Sequence, residues 1–241
     1  MSVFYEKIKK VIARPKLIKV KMYDFLFGKL GMFQKKYQWR KSSQLISQRV
    51  YKNYAEYISH QKAKLSTMDL SGYDERYYNI LKARLAPLAA GKIIRDGSVA
   101  LCLAARIGTE VRAFKDLNCF AVGIDLNPGE NNKYVLTGDF HDIQFPQNSV
   151  DIIFSNSLDH ALYLDQLAAE VGRVLKPGGH VILEIVRGID EGGKVGYYEV
   201  SAWPKIEDCL QSFIQAGFTV LRKNDFEYPW RGQQVVLKIS K

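Results

Sequence analysis

The sequence predicts an α/β protein, an open and mostly parallel seven-stranded sheet with helices on both faces, preceded by a basic helical extension. Two observations predict the sheet. After Gly97, short runs rich in Val, Ile and Phe alternate with stretches whose apolar residues recur at helical spacing, as βαβ units require. Seven such runs follow, enough strands for one sheet. A third observation predicts the extension: residues 1–64 hold 16 Lys and Arg against 3 Asp and Glu, whereas residues 65–241 hold 19 against 22. The expected division is a basic helical segment, residues 1–70, and an α/β domain, residues 71–241.

Taken in order, residues 1–41 mix lysines with Phe4, Tyr5, Ile8, Phe25, Phe33 and Trp39, which suits two short amphipathic helices broken at Pro15 and near Gly28 and Gly31. Such an arm suits an anionic membrane surface, with nucleic acid the lesser expectation because no recognition motif accompanies the charge. Packing of its apolar positions on the main domain or on a second subunit is the plainer alternative. From Ser42 to Lys64 the residues Leu45, Ile46, Val50, Tyr54, Tyr57 and Ile58 predict one helix, and Asp74-Glu75 open another that runs to about Leu85, before Pro87 and Gly91. The expected strands are Ser98–Leu103, Phe120–Asp125, Tyr134–Thr137, Val150–Ser155, His180–Val186, Thr219–Arg222 and Gln234–Ile239. Helices are expected at Gly108–Leu117, Leu164–Leu175 and Ile206–Ala216.

Composition narrows the class. With 47% hydrophobic and 25% charged residues, the chain suits an ordinary soluble fold. Cys102, Cys119 and Cys209 lie far apart, so neither a disulfide framework nor a metal centre is expected. Lysines interrupt any secretory leader, and no apolar run reaches the ~18–20 residues of a spanning helix. A cytoplasmic location, peripheral to the inner face of a membrane if the arm binds one, is the expectation.

The stretches "ALCLAARIGTEVRAF", "FAVGIDLNPG", "VLTGDFHDIQFPQNSVDIIFSNSLDH" and "EVGRVLKPGGHVILEI" together resemble class I S-adenosylmethionine-dependent methyltransferases, over roughly residues 80–240. The resemblance implies a Rossmann-like sheet, S-adenosylmethionine as cofactor and a methyl acceptor. It departs from the family at the first turn, where G-x-G-x-G is usual and this chain has Ala104, Arg106 and Gly108. Alanine is a modest loss there and arginine a large one, because the backbone must approach a ligand without a Cβ and in a conformation glycine favours. A dinucleotide dehydrogenase suffers more from that loss, since pyrophosphate needs the exposed amides of the turn and a sulfonium nucleotide does not.

Within this frame Asp125, at a strand end, suits a ribose diol, with Leu126 beside it; an Asx-turn in "DLNPG" is the structural alternative. By resemblance Asp139 receives the adenine amino group and Phe140 packs near the ring, with Asp142 a rival to Asp139. Arg106 suits the methionine carboxylate and Glu110 the ammonium, unless the two simply pair at a helix start. The fourth strand ends in "SNSLDHALYL", which the resemblance sets beside the methyl group. Asn156 is therefore expected at the cofactor, Ser157 at the acceptor, and His160 with Asp159 as the catalytic base pair, or else as packing and a helix cap. The glycine-rich "RGIDEGGKVGYYEVSAW" suits an acceptor lid carrying Tyr197, Tyr198 and Trp203. The expected reaction is O-methylation of a small molecule or glycan, in cell-surface polysaccharide assembly. A catalytically inactive binding module and an RNA methyltransferase are the alternatives.

Overall fold

The computed structural model describes residues 38–42, 45–67 and 72–239. Two short strands, β1 (Trp39–Lys41) and β2 (Ser47–Arg49), precede helices α1 (Tyr54–Thr67) and α2 (Tyr73–Ala90). Then follow β3 (Val99–Leu103), α3 (Thr109–Lys115), β4 (Phe120–Asp125), β5 (Val135–Thr137), β6 (Val150–Ser155), α4 (Leu164–Val174), β7 (Leu175–Val186), β8 (Ser201–Ala202), α5 (Ile206–Gln215), β9 (Phe218–Phe226) and β10 (Gly232–Ile239).

Seven strands form one sheet in the order β5-β4-β3-β6-β7-β10-β9. All pairs from β5 to β7 are parallel, and β10 runs antiparallel to both β7 and β9. Strand order reverses about β3, which pairs β4 on one side and β6 on the other. Leu103 lies opposite Ile124 and Ser155, so Ala104, Asp125 and Asn156 leave the sheet at one edge. That edge is where open α/β sheets hold ligands.

The strands alternate their side chains between two cores, as a pleat of period two dictates. Leu101, Leu103, Ile153 and Leu183 pack with residues of α4 and α5. Ala100, Cys102, Ile152, Phe154 and Ile182 pack with residues of α2 and α3. Each such Leu or Ile, buried from water, contributes roughly 1.5–3 kcal/mol before entropy is charged against it.

Four local expectations are corrected. The helix expected over Ser42–Lys64 starts only at Tyr54, because Ser47 and Gln48 pair with Ala202 and Ser201 and this tertiary pairing overrides the helical spacing. Trp39–Lys41, within the expected amphipathic arm, is a strand paired to β2, so the described part of the extension is not wholly helical. Helix α2 passes Pro87 to reach Ala90: burial of Leu81, Leu85 and Leu88 carries it past one missing N–H. The fifth strand of the main sheet starts at Leu175 rather than His180, with Gly178 at φ 73° inside a register shift. The two helices expected before Trp39 lie outside the described residues. Among the described residues, no helix is long and apolar enough to cross a membrane.

Candidate active site

The turn after β3 keeps a glycine loop's backbone without its glycines. Ala104 and Arg106 sit at φ 52° and 46°, and Gly108 at 87°. All three occupy the left-handed region, which costs a non-glycine residue roughly 1–2 kcal/mol. Two hydrogen bonds impose the shape, Ala105 N–H to the Ile124 carbonyl at 3.1 Å and Arg106 N–H to Asp125 Oδ2 at 3.0 Å. At Gly108 a Cβ would stand 2.7 Å from the Tyr134 Cβ, so glycine survives where both space and φ demand it.

Beside this turn lies a cleft, partly open to solvent, lined by Ala104, Arg106, Asp125, Leu126, Gly138, Phe140, Ser157 and His160, and by Asn127, Tyr57, Gln61 and Lys64. Asp125 joins both readings of its sequence: Oδ2 accepts from Arg106 and Oδ1 from Asn127 N–H at 2.7 Å, an Asx-turn, while the carboxylate still faces the cleft. Each oxygen retains a second lone pair.

Helix α1 roofs the cleft. Tyr54, Tyr57, Gln61 and Lys64 fall at i, i+3, i+7 and i+10, one face of a helix. Tyr57 donates to the His160 carbonyl at 3.1 Å and Gln61 to the Tyr198 carbonyl at 2.9 Å, while Asn127 donates to the Lys62 carbonyl at 2.7 Å. These residues, expected in a separate extension ending at residue 70, thus pack onto the sheet's ligand edge. Their helical spacing was legible, but nothing local says what the face covers.

In the same lining, the Lys64 amine meets His160 Nε2 at 2.5 Å, and the His160 Nδ1–H donates to the Tyr198 carbonyl at 2.9 Å. That pair of contacts selects the Nδ1–H tautomer and turns the Nε2 lone pair toward Lys64. Asp159 Oδ2 lies 3.9 Å from His160 Nε2, and acceptor atoms of Asp159, His160 and Glu199 all fall within 4.8 Å of one another. The cation beside these three is Lys64. Burial, then repulsion from Arg106, pushes the Lys64 amine down to about 8 against the pull of Asp159, Glu199 and Asp125. Burial and Lys64 hold His160 well below the usual imidazole range, so it is neutral, and burial raises the Asp159 carboxyl.

Other expected site residues stand elsewhere. Asp139 is outside the cleft lining: it accepts from the Tyr54 hydroxyl at 2.5 Å and from His141 Nδ1 at 3.1 Å, binding the start of α1 to the sheet. Asp142, its rival, forms an isolated backbone bridge with it. Glu110 and Asn156 are turned into the α2 face, where Asn156 Nδ2 donates to Glu110 Oε1 and the Tyr77 hydroxyl, both at 2.9 Å. Tyr77 donates to Glu184 Oε2 at 3.0 Å, which also receives Arg84 at 2.9 Å, while Gln234 donates to Oε1 at 3.3 Å. Burial raises Glu110 to about 7 and raises Glu184 as well. Ser157 links the two regions, lining the cleft and donating to Asn156 Oδ1 at 2.9 Å.

Trp203, expected on an acceptor lid, is 2% exposed and donates to the Val186 carbonyl at 3.2 Å; an indole in a core needs such a partner, and it does not reach the cleft. Tyr197 and Tyr198 close on His60, at ring distances of 5.0 and 5.2 Å, and the Tyr198 carbonyl reaches the site by accepting from His160 and Gln61.

Residues 101–183 match the family described as methyltransferase domain. The chain carries a class I S-adenosylmethionine-dependent methyltransferase domain. Solved structures of the same fold include a chain from a Haloferax volcanii complex of the Trm112 methyltransferase activator with a methyltransferase, 18% identical over 76% of this chain and 97% of that one, at a TM-score of 0.56. An S-adenosylmethionine-dependent methyltransferase from Aquifex aeolicus is 18% identical over 72% of this chain and all (100%) of that one, at 0.51. A protein from Pyrococcus horikoshii is 19% identical over 68% and 91%, at 0.53. No curated protein matches the chain. The cofactor of this methyltransferase is S-adenosylmethionine. The cleft fits it, offering a carboxylate at one strand tip, apolar walls from Phe140 and Leu126, and a guanidinium at the turn.

Proposed function

We propose that this methyltransferase acts on an oxygen of a small-molecule or glycan acceptor. The observation that carries the proposal is the neutral His160 in contact with Lys64 in the cleft lining, since a hydroxyl must lose a proton as it is methylated and the Lys64 amine, brought down to about 8, takes that proton up in its neutral form. Asp159, 3.9 Å from the imidazole, steadies the positive charge that the pair gains. A roof of α1 side chains over the cleft favours a small acceptor over a folded macromolecule.

Asp125 would hold the ribose, Phe140 and Leu126 would flank the base, and Arg106 would pair with the methionine carboxylate. The bound cofactor supplies an electrophilic methyl on sulfur. Ala104 would let the backbone approach it, and Ser157 would orient the acceptor. Glu110 and Asn156 support these groups from behind through Ser157, a coarser role than the direct contact expected of them.

The test is transfer of tritiated methyl from S-adenosylmethionine to panels of free sugars, nucleotide sugars, phenols and RNA. Label on a hydroxylated small molecule, lost in His160→Asn with cofactor affinity retained, is the expected result. Label on RNA alone would overturn it. A place in cell-surface polysaccharide assembly is the narrower form of the proposal, and membrane recruitment by residues 1–41 would serve it. The surplus of 13 positive charges in residues 1–64 supports that recruitment, and sedimentation with anionic vesicles tests it.

A further inference from the structure

Lys64 is a nucleophile that the proposed reaction does not consume. Its amine is half-buried, lines the same cleft as Asp125 and Phe140, and makes its close contact with a neutral ring nitrogen. We infer that Lys64 Nζ is itself a methyl acceptor, so that the protein methylates its own α1 when S-adenosylmethionine is bound and no acceptor is present. The inference rests on the reading of the cleft as the cofactor site.

The chemistry balances within the cleft. The lysine ammonium first gives a proton to solvent. The Nζ lone pair then forms a bond to the methyl carbon while the sulfur–carbon bond breaks. Positive charge passes from sulfur to nitrogen, S-adenosylhomocysteine leaves as a neutral thioether, and the product is a secondary ammonium on Lys64. No oxidant or further reactant is needed.

The surroundings keep this amine reactive at ordinary pH. Facing it are Arg106 from the turn after β3, Asp125 from β4, Asp159 and His160 from the segment after β6, and Glu199 from the segment before β8. Burial and Arg106 outweigh the three carboxylates and bring the amine down to about 8. An exposed lysine, at about 10.4, holds roughly two hundredfold less neutral amine near pH 7. Lys62, exposed on the same helix, supplies the internal comparison.

The experiment uses the full chain and S-adenosylmethionine carrying a trideuterated methyl, with no added acceptor, followed by peptide mass mapping. The expected result is a trideuteromethyl increment on Lys64 in preference to every other lysine, lost in Lys64→Arg and retained in Lys62→Arg. Its initial rate should climb about tenfold per pH unit below pH 8 and level off above it. Calorimetry with S-adenosylmethionine accompanies the mapping. Binding without label on Lys64, or label spread evenly over exposed lysines, overturns the inference and leaves the cofactor site intact. No binding at millimolar ligand overturns both.

Discussion

Two polar clusters sit near the carboxyl edge of the sheet, one packed against α2 and the other under α1, and they differ in what their charges answer to. On the α2 face, Glu110, Asn156, Tyr77, Glu184, Arg84 and Gln234 satisfy one another. On the α1 face, Asp125, Arg106, Lys64 and His160 border open space. The first cluster is closed and holds the fold together; the second borders a cleft open to solvent. A strand tip places a polar residue at the functional edge without saying which face it serves. For that reason Glu110 and Asn156 resemble cofactor ligands in sequence and behave as supports in the structure.

The largest expected effect separates the clusters by stability. Arg84 is the cation of buried Glu184, lies 3.9 Å over the Phe226 ring and also donates to the Tyr228 carbonyl. Arg84→Ala leaves a carboxylate buried without its partner, a loss of about 3–5 kcal/mol. Chemical denaturation should show that loss, while calorimetric affinity for S-adenosylmethionine in the surviving folded protein stays within about threefold, under half of the 1.4 kcal/mol per decade. A large loss of affinity would mean that the closed cluster reaches the ligand after all.

Asp125→Ala should give the reverse pattern. With Asp125 at the ribose as proposed, two charge-assisted hydrogen bonds are lost, so affinity should fall by about a hundredfold, or roughly 3 kcal/mol. Arg106 and Asn127 N–H groups also lose their acceptor, but both are near the cleft and within reach of water, so the melting temperature should move less than in Arg84→Ala. Unchanged affinity would take the ribose site away from β4.

How much of this was legible follows from how local each signal is. The main strands and the place of Asp125 at a strand tip were legible because a period-two run ending in an acid needs no distant partner to be recognised. The turn at Ala104 and Arg106 was only half legible: the missing glycines were plain, yet the retained backbone depends on hydrogen bonds to Ile124 and Asp125 on the next strand. The roof was hidden, since Tyr57 and Lys64 meet His160 about a hundred positions away, and Lys64 in sequence is one basic residue among many. Trp203 misled for the same reason: an aromatic after a glycine-rich loop reads as a lid until the Val186 carbonyl is seen to hold it in the core.

Glu110 offers a pH-resolved comparison within the closed cluster. Its folded-state carboxyl is raised from 4.5 to about 7, chiefly by burial, so between those values the folded protein holds more protons than the unfolded chain. Stability therefore falls as pH rises from 4.5 and stops falling above about 7, for a cost of about 3 kcal/mol. Glu110→Gln keeps an acceptor for Asn156 and removes the titration. Melting curves should coincide near pH 4 and part above pH 7, with the variant more stable by about 2 kcal/mol. A constant offset at every pH would point to packing instead of ionisation.

The smallest expected effect tests the first turn itself. If Ala104 is held at φ 52° by the hydrogen bonds of its neighbours, its Cβ costs roughly 1–2 kcal/mol, and glycine removes that cost while adding about 0.5–1 kcal/mol of unfolded-state freedom. Ala104→Gly should thus stabilise by about 0.5 kcal/mol, read as a rise of roughly 1–2 °C in Tm. Arg106→Gly relieves the same conformation at φ 46° but takes a cation from the cleft and from beside Lys64, so it should gain stability and lose cofactor affinity together. The pair divides the turn into backbone and side chain: a fall in Tm for Ala104→Gly would mean that the backbone is not held in the left-handed region, and equal affinities for the two variants would leave Arg106 without a ligand to answer.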